Sequence, residues 1–218
     1  MATAGDILTR LNEKLNDLNA TRWPNSEHFR AMTDAQNAIL EARPDLFEVI
    51  EAFTPVAGVQ QSVPADCYLL LEVIANVTAS NVFVSPITKL KRSTLDRQRS
   101  GWMAMDANAI TDHWMQEKRE RKKFYVVPPQ PTSSLGKYMI RFAQQPSDIT
   151  DASDNLVPEA SAVNAIYNFC MHRALEKDEK FSGSPRAQSY LEKFATFLGV
   201  KSSADNEAEA DEAAREQA

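Results

Sequence analysis

Cysteine, glycine and histidine are scarce in this 218-residue chain, and each shortage removes a class of chemistry. The two cysteines, Cys67 and Cys170, stand far apart, each inside an apolar run, which reads as two buried thiols and not as a disulfide framework. Six glycines carry no dinucleotide fingerprint. Leu135-Gly136-Lys137 touches the pattern of a phosphate-binding loop, but the upstream glycine is missing and Tyr138 stands where Ser or Thr would hold magnesium. The three histidines, His28, His113 and His172, are scattered, and Cys170 and His172 would point about 200° apart around a helix. No metal set is expected from them. Asp148, Asp151 and Asp154 lack the central glycine and closing glutamate of a calcium loop and read as a solvated loop. Ser182-Gly183-Ser184-Pro185 reads as a helix-entry turn, not a nucleophile elbow. No catalytic residue, cofactor site or metal ligand is assigned; a hydrolytic site assembled only in space stays open as the weakest reading.

Long apolar runs are missing as well. None approaches the roughly 20 residues that cross a bilayer, and Met1 to Arg10 lacks the basic start, apolar stretch and cleavage site of a secretory signal. The expectation is a protein that spans no membrane and stays where it is made. Hydrophobic residues at 43% and charged residues at 25% are ordinary for a globular chain, long enough for one large domain or two small ones.

What the chain does have is an uneven charge. Of the net -6, the segment Lys201 to Ala218 accounts for -4, with six acids against Lys201 and Arg215, and residues 1 to 200 carry -2. This alanine-rich tail has no apolar stripe and cannot offset its ordering entropy, so it is expected to be disordered when free or ordered by a partner. Two basic clusters stand within the body: Lys118, Arg119, Arg121, Lys122 and Lys123, and the set Lys89, Lys91, Arg92, Arg97 and Arg99. Glu117, Glu120 and Asp96 dilute them. Charged subunit contacts or solvated loops are one reading of these clusters and nucleic-acid phosphates the other. Trp102, Met103, Met105, Trp114 and Met115 form a Trp-Met-rich stretch that suits an irregular core or an interface.

Periodicity divides the chain. Thr3 and Asp6 have capping-box spacing ahead of an apolar stripe at Ile7, Leu8, Leu11, Leu15 and Leu18. Trp23-Pro24 interrupts, and Phe29, Met32, Ala35, Ile39 and Leu40 mark a second helix from about Asn25 to Arg43, stopped by Pro44. From Leu46 to about Ser147, prolines punctuate short β-rich runs at Phe47–Phe53, Val59–Val63, Leu69–Val77, Ile87–Leu90, Phe124–Val127 and Lys137–Phe142, with Pro64, Pro86 and Pro128 at strand ends. Thr94 to Arg99 reads as one or two helical turns. Helical spacing returns with Val163, Ile166, Tyr167, Cys170, Met171 and Ala174. A last helix follows, with Ser184 as cap, Pro185 in first position, apolar Tyr190, Leu191, Phe194, Phe197 and Leu198, and Gly199 at its end. The expected fold is α+β: a discontinuous helical bundle from residues 1–45 and 156–200, a central β-rich domain at 46–155, and the acidic tail at 201–218.

Several short blocks then stand in a telling order: Thr21-Arg22-Trp23 after the opening helix, Asp34-Ala35-Gln36 leading to Arg43-Pro44-Asp45, Phe124-Tyr125-Val126-Val127-Pro128-Pro129, the helix Asn164 to Asp178, and a final helix ending Phe197 to Lys201. Together they resemble the head-to-tail adaptor (connector) proteins of tailed bacteriophages, similar in architecture to tail tubular protein A, over residues 4 to 200. One departure is Pro24-Asn25-Ser26, where such proteins often place a Ser or Asp to cap the second helix. The resemblance implies a structural virion protein of the neck or tail, made in the host cytoplasm. It implies a homododecameric ring that meets the portal on one side and tail, nozzle or tail-fibre proteins on the other, with DNA passing through without sequence specificity. It implies no enzyme activity and no cofactor. Trp102, Trp114, Arg119, Arg121, Lys122 and Lys123 are the candidate interface or channel residues. The alternative is a soluble nucleic-acid-binding module that uses the basic clusters.

Overall fold

In the computed structural model, residues 2–117, 119–156, 160–177 and 183–199 are described. They form an α+β protein, as the periodicity predicts, divided into two compact units: Glu48–Gln145, and the described residues on either side of it. The expectation for the acidic tail falls on residues outside the described set, as do Lys118 and Asp178.

The outer unit is helical. Helix α1 (Ala4–Leu15) starts at a complete capping box, in which the Thr3 side chain accepts from the Asp6 N–H and the Asp6 carboxylate accepts from the Thr3 N–H at 2.9 Å. The block Thr21-Arg22-Trp23 has a structural reason. The Asp17 carboxylate accepts the three successive N–H groups of those residues at 3.0, 2.9 and 2.9 Å, folding the chain between α1 and α2 (Asn25–Ala42). These bonds hold the Asp17 carboxyl below its ordinary pKa. Pro24 precedes α2 without a side-chain cap, so the entry of that helix is fixed by the Asp17 turn instead. After the 3-10 turn Pro44–Phe47, the chain leaves the unit and returns at Pro146.

The returning segment is bound to the start of α1: Ala4 N–H donates to Asp154 O at 2.9 Å, Gly5 N–H to Ala152 O at 2.8 Å, and Leu156 N–H to Ala2 O at 3.0 Å. Asp151 and Asp154 use their carboxylates on N–H groups of this same loop. Two further helices of the unit are separated in sequence from α1 and α2 by the whole β unit, one at Ala160–Lys177 and one at 185–199. The Trp23 indole donates to Ala174 O at 2.9 Å, tying α2's entry to the first of these helices, and Phe169 meets Phe194 at 5.0 Å between ring centroids. In the last helix the Ser184 hydroxyl accepts the Ala187 N–H at 3.2 Å, the cap that the Ser-Pro start predicts.

The β unit contains two four-stranded sheets. In chain order its strands are β1 (Glu48–Phe53), β2 (Gly58–Ser62), β3 (Cys67–Val77), β4 (Phe83–Pro86), β5 (Thr88–Lys89), β6 (His113–Met115), β7 (Lys123–Gln130) and β8 (Tyr138–Gln144). One sheet has the order β1-β8-β3-β4 and is antiparallel throughout; the other has the order β2-β7-β6-β5, with β5 parallel to β6. Val63, Leu70, Val73, Ile87, Trp114, Phe124, Val126, Tyr138, Ile140 and Phe142 bring the inner faces of both sheets into one core. The opposite face of the second sheet is covered too. Leu95 of the short helix α3 (Arg92–Gln98) and Trp102 of a following 3-10 turn pack on Met115 and Val127.

Three features differ from the sequence expectation. Strands β4 and β6 fall in stretches with no alternating pattern. The one or two helical turns expected at Thr94–Arg99 are present as helix α3, but it begins two residues earlier, at Arg92. Pro128, expected at a strand end, lies inside β7, which runs on to Gln130. The pairing explains how the strand tolerates it: β7 matches Gln60 with Tyr125 but Gly58 with Gln130, so Pro128 and Pro129 occupy a register break where no ladder N–H is needed. The Val127–Pro128 peptide is cis.

Candidate functional site

All the described basic residues singled out in the sequence belong to the β unit. Lys89 ends the parallel strand β5, Lys91 to Arg99 span α3 and the residue on either side of it, and Arg119 to Lys122 lie in the loop joining β6 to β7, with Lys123 the first residue of β7. Because β5 pairs β6 and Leu90 N–H donates to Trp114 O at 2.9 Å, the two clusters are neighbours in space although some 20 residues apart in sequence. Arg92 bridges them by pairing with Glu117 at 3.4 Å, while also lying 3.6 Å from Asp96. Between Thr88 and Lys123 the chain holds ten Lys and Arg against five Asp and Glu, a local +5 in a chain of net -6. The surface is one basic face and not two scattered runs.

Its cations differ in how they are held. The Lys89 ammonium sits 4.9 Å from the centre of the buried Trp114 ring, and Lys122 donates its ammonium to the Cys67 carbonyl. Arg99 approaches Asp112 at 3.9 Å. Lys91, Arg97, Arg119, Arg121 and Lys123 are exposed and have no acidic partner among the described residues. Arg119, Arg121, Lys122 and Lys123 line an open concavity of about 630 Å³ whose one acid, Glu120, accepts a 2.8 Å hydrogen bond from the Tyr125 hydroxyl. That donation raises the Tyr125 pKa. The loop is braced from behind, where the Gln116 amide donates to the carbonyls of Arg121 and Lys123 at 3.0 and 3.1 Å.

The two candidate tryptophans are core residues. Trp114 is fully buried between the sheets, and Trp102 lies beneath α3 with its indole donating to Asp96 at 2.8 Å. Neither indole presents surface; within the Trp-Met stretch, Met103 and Met105 are the exposed side chains.

An apolar surface that the sequence did not signal stands at one end of the antiparallel sheet. The hairpin between β3 and β4 exposes Val82, Phe83 and Val84 in succession, Phe83 at 63%. Beside it, Ile110 and Leu135 stand out from loops around a cleft of about 420 Å³ that Val84 also lines. These loops are built from below by a buried polar network. Asn76 donates to Thr111 O at 2.7 Å and accepts the Thr111 N–H at 2.9 Å; the hydroxyls of Thr111 and Tyr138 meet at 2.7 Å. Gln130 donates to Asn108 O and accepts the Gly136 N–H, both at 2.9 Å. A Cβ at Gly136 would stand 2.0 Å from Ala109 O, so only glycine lets the two loops meet.

Neither thiol is poised for chemistry. Burial pushes Cys67 up to about 11 and raises Cys170 further. No group of His, Cys, Asp and Glu suited to a metal ion occurs among the described residues, and none of their helices is long and apolar enough to cross a membrane.

Residues 2–216 match the family model described as SU10 adaptor protein. No curated protein matches the chain.

Proposed function

The chain belongs to the SU10 adaptor protein family, and from that membership we propose that it is one subunit of a homododecameric head-to-tail adaptor ring, seated between the portal and the tail or nozzle of a phage particle. The coarser role, a structural phage adaptor in contact with other head and tail proteins, follows from the family itself. The observation that carries the finer reading is the extent of the match, which takes in both units and not one of them.

Two surfaces support it. A closed ring of identical subunits needs a heterologous interface, in which one patch meets a different patch on the next copy. The rigidly supported Val82–Val84 hairpin with Ile110 and Leu135 is an exposed apolar surface of the kind that such an interface removes from water. The basic loop Arg119, Arg121, Lys122 and Lys123 supplies a charged contact surface within the ring or along the channel, where DNA passes without being read for sequence.

Light scattering and negative-stain imaging of the purified protein, alone and with its candidate portal, test the reading. Rings of about a dozen copies, free or on the portal, are the expected result. The local +5 favours one other reading, a nucleic-acid-binding module. A persistent monomer that ignores the portal would support that module, provided it binds DNA with a steep salt dependence that is lost when Arg119, Arg121, Lys122 and Lys123 are changed together.

A further inference from the structure

The basic face has an obvious anionic counterpart in the same polypeptide. We propose that the acidic segment 201–218 of one copy docks on the basic face of a second copy, the surface formed by α3 and the β6–β7 loop. This rests on the ring reading and names one of its contacts.

Charge is the first argument. The segment carries six acids and two bases, a net -4, against the +5 between Thr88 and Lys123. The face is also free to receive it: Lys91, Arg97, Arg119, Arg121 and Lys123 lack acidic partners among the described residues, and Glu120, the acid within the loop, is engaged by Tyr125. Spacing is the second argument. Asp205, Glu207, Glu209 and Asp211 stand at alternate positions, so a backbone extended along the face would present all four on one side. Reach is the third. The described chain ends at residue 199, and the 18 residues of the segment span up to about 60 Å when extended, more than the width of a small domain. Each copy contributes one segment and one face, so a closed ring satisfies every pair. Individual exposed ion pairs are weak, but tethering in a ring raises the local concentration of the segment to roughly millimolar. Nucleic acid is the competing occupant. Outside Thr88–Lys123 the chain carries -11, of which the segment itself supplies -4; the field disfavours any polyanion, and only the segment has a tether to offset that cost.

Carbodiimide coupling, which joins a lysine to an adjacent carboxylate, tests this on the full-length protein assembled from equal parts of ordinary and ¹⁵N-labelled chains. The expected result is mixed-isotope cross-links between the acids of 205–216 and Lys89, Lys91, Lys122 or Lys123. Their yield should fall at least about fivefold in roughly 0.5 M salt, where screening shortens to a few ångströms. A similar fall is expected in an Arg119→Glu, Arg121→Glu variant, which keeps every coupling lysine. Same-isotope links alone, links from the segment to other surfaces, or a face occupied by added duplex DNA with no segment links would each overturn the proposal. Light scattering on the same samples separates the two ideas: a ring without these links overturns the docking alone, and mixed links without a ring support the docking while the ring reading fails.

Discussion

The two units bury their apolar surface by different means. Helices of the outer unit meet through small side chains, Ala31, Ala35, Ala165 and Ala174, set among Ile7, Leu11, Met32, Ile39 and Met171. The unit's interhelical ion pairs, Glu27 with Lys177 and Asp34 with Arg173, are half-exposed, where water replaces a lost partner at little cost; Arg43, buried and paired with Asp45, is the exception. The β unit fills its core with rings, Trp114, Phe124, Tyr138 and Phe142, and threads a polar network through its interior. A buried donor or acceptor that loses its partner there has no water to turn to. The β unit is therefore the less tolerant half, and it is also the half that carries the exposed apolar and basic surfaces.

The largest test of this contrast is Trp114→Ala. Removing a fully buried indole that touches both sheets is expected to destabilise the β unit by about 3–5 kcal/mol, read as a lower urea midpoint by circular dichroism. With Trp102 also changed to Phe, fluorescence of the remaining Trp23 in the helical unit shows whether the two units unfold together. A loss below about 1 kcal/mol would mean that the site collapses to fill the space, and the contrast would fail. Next in size is Asn76→Ala, which strips partners from both backbone groups of buried Thr111 and should cost about 1–3 kcal/mol for each group left unpaired. It should also loosen the loops bearing Ile110 and Leu135, seen as faster hydrogen exchange around residues 108–111 and 134–137.

The same contrast explains what could be read in advance. Helix signals are local: the Thr3–Asp6 box, the Ser184-Pro185 start and the stripe through Ile166 and Met171 each lie within a few residues and reappear in place. Strand signals depend on what covers each face. Both faces of β6 and β7 are buried, by the sheet sandwich on one side and by α3 with the 3-10 turn on the other, so neither shows alternation. For the same reason Trp102 and Trp114 could not be told from interface residues: their burial depends on pairings formed far along the chain. The basic face was half legible. Its two clusters stand out in sequence, but a charge count over residues 1–200 averages the +5 away, and only the β5–β6 pairing joins them. The apolar hairpin end gave no signal, because Val82-Phe83-Val84 is a short apolar run without alternation, which does not say which face is exposed.

In the helical unit the effects should be smaller. Thr3→Ala removes one half of the capping box and should cost about 0.5–2 kcal/mol, measured by thermal or urea unfolding. Thr3→Ser, which keeps the hydroxyl, should restore most of it; a Ser variant as weak as the Ala variant would assign the loss to the Thr3 methyl group and not to the cap.

The smallest effect at neutral pH belongs to two histidines, His28 in the helical unit and His113 in the β unit, and it appears only on acidification. His28 is 3% exposed, and its Nε2 has no partner among the described residues. Burial lowers its pKa, opposed by the charges of Glu27 and Asp17 and reinforced by Lys177. His113 in the β unit is half-buried, and burial lowers its pKa as well, with Arg99 adding to the shift and Asp112 opposing it. In both cases the unfolded chain takes up the proton first. Stability is thus unaffected above the unfolded value of about 6.5 and falls as pH drops from there toward each folded pKa, below which these groups subtract nothing more. His28→Gln should flatten the stability profile between about pH 6.5 and 5 more than His113→Gln, because the more deeply buried ring has more hydration to lose. Urea midpoints across that range decide it. Equal flattening by the two variants would mean that depth of burial does not set the penalty, since Glu27 and Asp17 beside His28 favour its protonated form and cannot themselves supply it.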